Sequence, residues 1–596
     1  MAQAALPAIW RGGTVLNPKS GFEPPLSVVL AAVGLFALAL WLRLMGTSWD
    51  GWANLHPDER HMVFVTQDLQ AALASALSEA RDWGAIWFGP DAVFDPRAEG
   101  RLYVYGDMPL ITVTLTSHAM GATDWGSTLW LGRSLTAVVE ASSVLAVFVL
   151  GMRLGGQAVA ALAAAALTAM APTSLQLSNF YTVDAWLSAL SIWALVPMAA
   201  LAGPEGRTVH ALFAGMLAGL AGACKVTAVA LFLPAIVAVI MVWRHRGARA
   251  ALVAAAVGVV SGLVMFRLAN PSAFAGTGIL GLTLSPDMLG DFAELRAYIG
   301  DPGPPSNWQW LAGYPTHHLV RDVALFGTGP VLGLAAIAGL MRRPDAAGWL
   351  VIAALVGHLV LNATGEVRAL FQPESRAALR ALRYLAPIVP LAAVLAVPVL
   401  ARLPRPAVLA VVALGLWWGW GTVRLHDGKH PRLIATEWMR QLPPGTAVAF
   451  ETAWDDSLPV RQTFPAADWS VMPGPFQSIP LGLTDFDEAD SPARIAAALE
   501  QAEYLSISSG RQLEVMPRLP ERFPTVTNYY AALLGGRLCF ERVLYLDRGY
   551  PLPGLRFDDR LAQEPWRVYD HPIVQIWKKM PCFDRATAER ILAGQE

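Results

Sequence analysis

The feature that most constrains this chain of 596 residues is a series of long apolar segments. A helix that crosses a bilayer needs about 20 apolar residues, and these segments reach that length or fall slightly short of it. They lie near residues 26–46, 128–151, 156–172, 185–202, 210–223, 226–243, 249–268, 321–341, 346–362, 384–401 and 406–423. Only 15% of the residues are charged, against roughly 25% in an average soluble domain. The pattern predicts a polytopic α-helical membrane protein with about 11 transmembrane helices.

The distribution of lysine and arginine between the predicted helices indicates their orientation. Basic residues are concentrated in residues 1–25 and in the short loops 152–155, 203–209, 244–248, 342–345 and 402–405. Short loops rich in Lys and Arg lie in the cytoplasm. The N-terminus is therefore expected to be cytoplasmic. The longer segments 47–127, 269–320 and 363–383 and the polar C-terminal residues are expected on the outer face.

A change in charge density divides the chain near residue 424. Residues 425–596 carry 18 Lys or Arg and 23 Asp or Glu, a higher density than the residues before them. Residues 1–424 are interpreted as a transmembrane catalytic domain that includes the outer loop 47–127, and residues 425–596 as a soluble extracytoplasmic domain. Strand-like residues 446–450 and 504–508 alternate with a helical stretch at 493–502, which predicts an α/β fold, and residues 566–577 are typical of a closing hairpin.

The overall charge and the cysteines exclude several function classes. Lys and Arg total 44 and Asp and Glu total 46, for a net charge of −2. Without a basic excess, no nucleic-acid partner is expected. Cys224, Cys539 and Cys582 show no CxxC spacing of a metal or redox site. Cys539 and Cys582 fall in the predicted outer domain, where the sequence is compatible with either a disulfide or two buried thiols.

The outer loop after the first predicted helix contains two adjacent acids, Asp58 and Glu59. Pro57 favours a helix start, and acids in a first turn stabilise the helix dipole, which is one interpretation of both residues. In the other, the apolar positions 62, 63, 65 and 69 form a face that lies on the membrane surface and holds Asp58 at headgroup depth. A carboxylate fixed there could act as a base on a substrate with a lipid tail.

A second acid and four cations also lie on the predicted outer face. Asp184 starts the fourth predicted helix, where it is either an N-cap or a second functional carboxylate. The cations either extend to lipid headgroups or bind a phosphate where water is scarce. They are Arg133, Lys225, Arg267 and Arg383, and Lys225 is the only lysine between Lys19 and Lys429.

Histidines and aromatic residues add weaker candidates. His56, His61, His317 and His318 have no metal-ligand spacing such as HExxH, so no metal site is predicted, although a divalent metal is not excluded. Tyr105 and its neighbour Tyr103, like Trp308 and Trp310, are interpreted either as residues of the interfacial aromatic belt or as platforms for a sugar ring.

Several motifs resemble a known family. His56-Pro-Asp-Glu59, Tyr105-Gly-Asp-Met-Pro-Leu110, Asn179-Phe-Tyr-Thr-Val-Asp184 and Arg383-Tyr-Leu-Ala-Pro-Ile-Val-Pro390 are similar to motifs of the bacterial GT-C glycosyltransferases. This branch includes relatives of protein O-mannosyltransferases and of the lipid A aminoarabinose transferase. The C-terminal stretches 432–438, 518–524 and 568–572 also resemble the tail of that branch. The resemblance implies a bacterial inner (plasma) membrane enzyme that inverts the anomeric carbon while moving one sugar, a hexose or pentose, from a polyprenyl-phosphate carrier.

The resemblance also implies roles for individual residues. Asp58 matches the catalytic carboxylate of the first outer loop, and Asp184 matches a second-loop acid. Beside Asp58, Glu59 is expected to orient the loop. Arg133, Lys225 and Arg383 match positions that hold the carrier phosphate. His56, Tyr105, Tyr181 and Arg267 are further candidate substrate contacts. No motif marks the acceptor, which is left open as a protein, a lipid or a glycan.

Two other functions compete with this interpretation. A lipid or sugar transporter would be expected to contain charged residues near the midplane, broken helices and an inverted repeat, none of which is evident in the sequence. A glycan ligase or polymerase would move a larger unit and would differ in the mass added to the acceptor. One base and a cationic cluster suffice for sugar transfer, because the carrier leaves as a phosphate and only the acceptor loses a proton.

Overall fold

The protein is described by a computed structural model over residues 24–89, 91–98, 100–155, 157–299, 316–371, 381–451, 458–460, 475–483 and 490–595. Trp308, Trp310 and the side chain of His317 lie outside these residues. The helices are α1 (Leu26–Met45), α2 (Pro57–Ser78), α3 (Trp83–Trp87), α4 (Met108–Met120), α5 (Trp125–Ala141), α6 (Ser143–Gly155), α7 (Ala158–Ala169), α8 (Pro172–Ser178), α9 (Val183–Ala202), α10 (Thr208–Gly222), α11 (Phe232–Arg246), α12 (Ala248–Ala269), α13 (Pro286–Ile299), α14 (Thr316–Asp322), α15 (Pro330–Leu340), α16 (Ala346–Phe371), α17 (Ile388–Leu400), α18 (Arg405–Asp427), α19 (Pro431–Met439), α20 (Ser491–Gln501), α21 (Pro524–Leu534), α22 (Glu564–Arg567) and α23 (Arg585–Leu592).

The apolar helices are those of a multi-pass membrane protein. Within the described ranges, six helices are long and apolar enough to cross a membrane, or eight if two bent pairs each count as one span. Three shorter apolar helices lie at Thr208–Gly222, Ala346–Leu361 and Ile388–Leu400. Each predicted apolar segment therefore contains helix, whereas the number of about 11 transmembrane spans stays a prediction.

The segment predicted as one helix at 321–341 is sharply bent. Residues His318–Gly327 and Pro330–Leu340 meet at an angle of 117°. Gly329 has a φ of 78°, which favours glycine, and Pro330 has no N–H to continue the preceding helix. A second bend of 53° separates α7 from α8, which begins at Pro172. Prolines within apolar runs thus interrupt helices that hydropathy alone would draw as continuous.

The amphipathic face of α2 is buried, but against protein. Met62, Val63, Val65 and Leu69 pack in one apolar cluster with residues of α4 and α5, among them Leu110 and Leu129. The prediction that this face lies on the membrane surface is therefore wrong. Its apolar partners include Leu110 and Val113 of α4. The helices α2 and α4 of the predicted outer loop 47–127 therefore share an apolar core with α5 of the helix bundle.

The C-terminal residues form a mixed sheet. Its strands are β1 (Ala447–Phe450), β2 (Gln477–Pro480), β3 (Tyr504–Ile507), β4 (Phe540–Leu546) and β7 (Val574–Lys579), and a separate pair is formed by β5 (Tyr550–Leu552) and β6 (Leu555–Phe557). The order in the sheet is β2-β1-β3-β7-β4, with β1 parallel to β2 and β3, and β7 antiparallel to β3 and β4. The strands predicted at 446–450 and 504–508 are confirmed. The hairpin predicted at 566–577 is wrong, because α22 precedes β7 and both partners of β7 lie elsewhere in the chain.

Cysteines and buried polar side chains connect parts of the chain that are distant in sequence. A disulfide joins Cys539 and Cys582, whose Cα atoms lie 5.8 Å apart, and Cys224 is a buried free thiol. The Asp570 carboxylate accepts a hydrogen bond from Gln176 of α8 at 2.9 Å and lies 3.0 Å from His426 of α18. The sheet-containing region is therefore tied to the helix bundle through buried polar groups. The boundary at residue 424 and the side of the membrane stay predictions.

A buried histidine between two carboxylates makes the stability of this region sensitive to pH. His571 Nε2 lies 2.7 Å from Asp559, and Nδ1 bonds Asp570. Burial alone would lower the pKa of His571, but the two carboxylates raise it to about 9. An unperturbed histidine titrates near pH 6.5. The pairing therefore contributes fully below about pH 6.5, and its contribution is lost as the pH rises through about 9.

We expect the melting temperature of the purified protein to fall between about pH 7 and pH 9.5. Asp559→Asn removes one carboxylate from buried His571, so it should destabilise the protein at neutral pH by about 3 kcal/mol and flatten this alkaline decline. Asp558→Asn is the control, because Asp558 is exposed and pairs only with Arg560 among the described contacts. Thermal unfolding across the pH range measures both variants. Identical pH profiles for Asp559→Asn and the wild type would contradict the prediction.

Candidate active site

Two ion pairs lie side by side on the predicted outer face of the bundle. Asp58 Oδ2 lies 2.5 Å from Arg383 Nη1, and Asp184 Oδ1 lies 2.6 Å from Lys225 Nζ. The side chains of Asp58 and Arg383 are 26% and 21% exposed, whereas those of Lys225 and Asp184 are 11% and 6% exposed. The structure thus brings together four sequence-predicted residues from four separate segments, at a place that solvent or a ligand can reach.

Two tyrosines join the pairs into one cluster. The Lys225 ammonium lies 4.3 Å from the ring centroid of Tyr384 and 5.9 Å from that of Tyr105. Tyr384 Oη accepts a hydrogen bond from Arg383 Nη2 at 3.3 Å, and Tyr105 Oη donates to Asp58 Oδ2 at 3.5 Å. A cation close to an aromatic face gains electrostatic stabilisation. Both tyrosines therefore help to fix the positions of the charged groups.

Local backbone contacts place Asp58 and Tyr105 in the cluster. His56 caps α2, its ring accepting the Glu59 N–H at 3.4 Å, and this places Asp58 in the first turn. The loop before α4 docks on the turn that carries Lys225, because Gly106 N donates to Cys224 O at 2.9 Å. A Cβ atom at residue 106 would collide with the backbone carbonyl of Ala223, so glycine is required for this close approach.

The cluster alters the proton affinity of its own members. Burial would raise the pKa of Asp58, but Arg383, His56 and Lys225 together outweigh burial and hold the pKa well below its usual range. The negative charge of Asp58, together with burial, raises the pKa of Tyr105. Asp58 is therefore ionised and Tyr105 is neutral at any physiological pH. A carboxylate that is paired with a cation is a weak base, and it becomes a stronger base when another anion binds that cation.

Tyr569 of the C-terminal region packs next to the site, on the residue that caps the helix of Asp58. The ring centroids of Tyr569 and His56 lie 4.0 Å apart. The Phe180 ring also packs on His56, with a centroid distance of 4.7 Å. Tyr569 also contributes to the electrostatic environment of Arg383. Tyr569 and Tyr384 both lie in motifs that resemble the family, at 568–572 and at Arg383–Pro390. The sequence alone assigned no contact to either tyrosine.

Arg133 is not part of this cluster. Its guanidinium donates to Asp50 at 2.8 and 2.9 Å, to Glu59 at 2.8 and 2.6 Å and to the carbonyl oxygen of Thr47 at 2.6 Å. All three charged side chains are fully buried. These contacts use every donor of the guanidinium, so the expectation that Arg133 contacts the carrier phosphate is not supported. Glu59 likewise serves the fold and is held away from the cluster.

The other predicted substrate contacts are also internal. Tyr181 is fully buried, and its hydroxyl lies 2.9 Å from the Thr66 hydroxyl. Arg267 is fully buried and donates to the carbonyl oxygens of Pro271, Gly276 and Gly278 at 2.7 to 3.0 Å. His56 is 1% exposed and acts as a helix cap. Among the candidate contacts, only Tyr105 lines the cluster directly.

A metal-binding arrangement is not evident in this part of the chain. Over the described residues, no group of three or more His, Cys, Asp or Glu side chains is placed to hold a metal ion. The residues of the site that could bind an anion are Lys225 and Arg383. The arrangement is suited to bind a phosphate between two cations and to accept a proton on a carboxylate beside it.

Comparison with known proteins connects part of this architecture to a family. A family model described as dolichyl-phosphate-mannose-protein mannosyltransferase matches residues 119–271, a segment that includes Asp184 and Lys225. Asp58 and Arg383 lie outside the match. No curated protein sequence matches the chain. Over residues 119–271 this match agrees with the resemblance stated from the motifs.

Two solved structures are similar to the chain at low sequence identity. The aminoarabinose transferase ArnT from Cupriavidus metallidurans, bound to undecaprenyl phosphate, is 14% identical, with a TM-score of 0.43 over 82% of this chain and 94% of ArnT. The archaeal oligosaccharyltransferase AglB from Archaeoglobus fulgidus, in complex with an inhibitory peptide and a dolichol-phosphate, is 13% identical, with a TM-score of 0.45 over 89% of this chain and 75% of AglB.

Two arginines that the sequence groups together should behave differently when each is replaced. Arg133→Met leaves Asp50 and Glu59 buried without their cation, so we expect a loss of about 3–5 kcal/mol in unfolding free energy. Arg383→Met is the matched comparison, because its ion pair is partly exposed and such pairs contribute about 0–1 kcal/mol. Thermal unfolding of the two purified variants measures the difference. Equal stability of both would argue against the structural assignment of Arg133.

Proposed function

We propose that this protein is an inverting glycosyltransferase that moves one sugar from a polyprenyl-phosphate carrier to an acceptor hydroxyl or amine on the outer face of the membrane. The observation that carries the proposal is the partly exposed cluster in which Asp58 lies 2.5 Å from Arg383 while Lys225 lies beside them. A phosphate leaving group needs cations, and the acceptor needs a base. Both requirements are met within one cluster.

The carrier phosphate is assigned to Lys225 and Arg383. Both cations contact Tyr384, at 4.3 Å for Lys225 and 5.2 Å for Arg383, so one anion placed near this tyrosine can reach both. In the free protein the two cations are neutralised by Asp184 and Asp58. A bound phosphodiester provides a competing negative charge, and it turns Arg383 and Lys225 toward the donor.

Asp58 is assigned as the general base. Pairing with Arg383 lowers the pKa of Asp58, so the free protein holds this carboxylate in a form with little affinity for a proton. Once the donor phosphate shares Arg383, Asp58 recovers basicity beside the reacting sugar. It then removes the proton of the acceptor hydroxyl as that oxygen attacks the anomeric carbon. The bond between this carbon and the phosphate oxygen breaks, and the carrier leaves as a phosphate.

The membrane arrangement that we propose follows from the basic loops. The N-terminus is cytoplasmic, residues 425–596 form an extracytoplasmic domain, and the membrane is the bacterial inner (plasma) membrane. In this orientation the cluster faces the outer leaflet. The sugar is a hexose or a pentose. The acceptor that reaches Asp58 is a protein, a lipid or a glycan.

Replacing Lys225 tests the donor site. Lys225→Ala removes one charge-assisted contact, so we expect a loss of about 1.5–3 kcal/mol, or roughly ten- to a hundred-fold in affinity for a polyprenyl-phosphate monosaccharide. Lys429→Ala is the control, because Lys429 is exposed and pairs with Glu437 in the C-terminal region. Direct binding of the donor to the purified proteins is the measurement. Normal donor affinity of Lys225→Ala would remove this residue from the site.

Replacing Asp58 tests the base. Asp58→Asn keeps the size and polarity of the side chain but cannot accept the proton, so turnover should fall by about 10²–10⁴ without a loss of donor affinity. Release of carrier phosphate reports turnover, and the mass added to the acceptor distinguishes one sugar from a whole glycan. Asp184→Asn is the matched acid variant. If Asp184→Asn abolished turnover while Asp58→Asn retained it, the base would be Asp184, and if neither affected turnover the proposed function would be wrong.

A further inference from the structure

A cavity of about 320 Å³ lies at the end of the helix bundle remote from Lys225. Its polar lining consists of Thr208, Arg246 and Arg249, and its apolar lining includes Leu201, Val253 and Ala254. It lies where α10 and α12 begin and α11 ends. The volume is within the range of ligand-binding pockets, and none of its lining residues belongs to the candidate active site.

A tight corner of the backbone places the two arginines together. Arg246 ends α11 and Ala248 begins α12, and the single connecting residue, Gly247, has a φ of 84° that favours glycine. Arg246 donates from Nη2 to the Leu201 carbonyl at 3.0 Å and from Nη1 to that of Gly206. Its Nε is buried and has no hydrogen-bond partner among the described residues. The guanidinium is thus held in place with one buried donor unused.

Arg249 supplies a second and less constrained charge. It is exposed and lies in the first turn of α12, and no ion pair or hydrogen bond of its side chain is found in the described part of the chain. The free N–H groups of a helix start add to the attraction for an anion. Between residues 201 and 254 the only acid is Glu205, whereas Arg207, Arg244, Arg246 and Arg249 all lie at this end of the helices.

The surface beside the cavity is apolar and exposed. Val253, Val260 and Val264 follow one another along one face of α12 and are 44%, 60% and 39% exposed. This face continues from the cavity toward the middle of the predicted membrane. A ligand with a negative head and a hydrocarbon tail fits both features, because its head would meet the arginines and its tail would cover the valines.

We propose that this cavity binds the phosphate headgroup of an anionic phospholipid from the cytoplasmic leaflet. Arg246 and Arg249 hold the phosphate oxygens, and the acyl chain lies along the exposed face of α12. A zwitterionic lipid is bound less well, because its ammonium group would meet an excess of arginines. The proposal concerns the opposite end of the molecule from the sugar-transfer site; it rests on the proposed membrane orientation but not on the proposed sugar transfer.

The test is native mass spectrometry of the purified full chain titrated with phosphatidylglycerol and, in parallel, with phosphatidylcholine. We expect one phosphatidylglycerol to bind more tightly than any phosphatidylcholine. Arg246→Gln/Arg249→Gln should weaken this binding at least about tenfold, since two charge-assisted contacts are lost. Arg249→Glu should weaken it as well, and this variant leaves the contacts of Arg246 with the backbone intact in case the double variant folds poorly.

Arg402→Gln/Arg405→Gln is the matched control, because both residues lie in another predicted cytoplasmic loop and do not line the cavity. This control should bind phosphatidylglycerol like the wild type. Equal loss of binding in the control, unchanged binding in Arg249→Glu, or equal affinity for the two lipids would overturn the proposal. Displacement of phosphatidylglycerol by millimolar inorganic phosphate would also overturn it, in favour of a site for the free anion.

Discussion

The buried ion pairs of Arg133 are the interaction on which the rest of the structure depends. This side chain joins Asp50, which follows α1, to Glu59 in α2, and its own helix α5 lies in the bundle. A charge taken out of water is tolerated only if nearly all its hydrogen bonds are satisfied, which restricts the permitted arrangements of these three segments. The outer loop is therefore attached to the bundle by a rigid polar joint. Asp58, adjacent to Glu59, owes its position to that joint.

Two adjacent carboxylates, Asp58 and Glu59, each pair with an arginine but in different surroundings. Glu59 faces inward to Arg133 and is fully buried, whereas Asp58 faces the cluster with Arg383 and stays a quarter exposed. Successive residues in a helical first turn point in different directions, so one acid can anchor the helix while its neighbour meets a ligand. Glu59 thus supports the fold, while Asp58 stays accessible within the cluster.

The sequence predicted the fold and site to different extents, for physical reasons. Hydropathy located the apolar helices because lipid exposure imposes a length and a composition on each of them. Hydropathy could not show that α2 packs against α4, because an apolar helix face has the same sequence pattern whether protein or lipid covers it. Nor could it show that Arg133 pairs with Asp50 and Glu59, because a cation in an apolar helix has the same sequence pattern whether its partner is a carboxylate or a phosphate. Lys225 and Arg383 do lie near each other, on the ring of Tyr384, while their role toward a phosphate stays a prediction.

The contact between His56 and Tyr569 has a consequence for how the protein is made. More than 500 residues separate the two rings in sequence, and the intervening chain includes most of the helices and nearly the whole mixed sheet. During synthesis the segment that carries His56 is made long before the residue that packs on it. The contact forms only after Tyr569 has been translated and the C-terminal region has folded against the helices. Assembly intermediates that stop short of this point contain every charged residue of the cluster, yet they lack the ring that packs on the cap of α2.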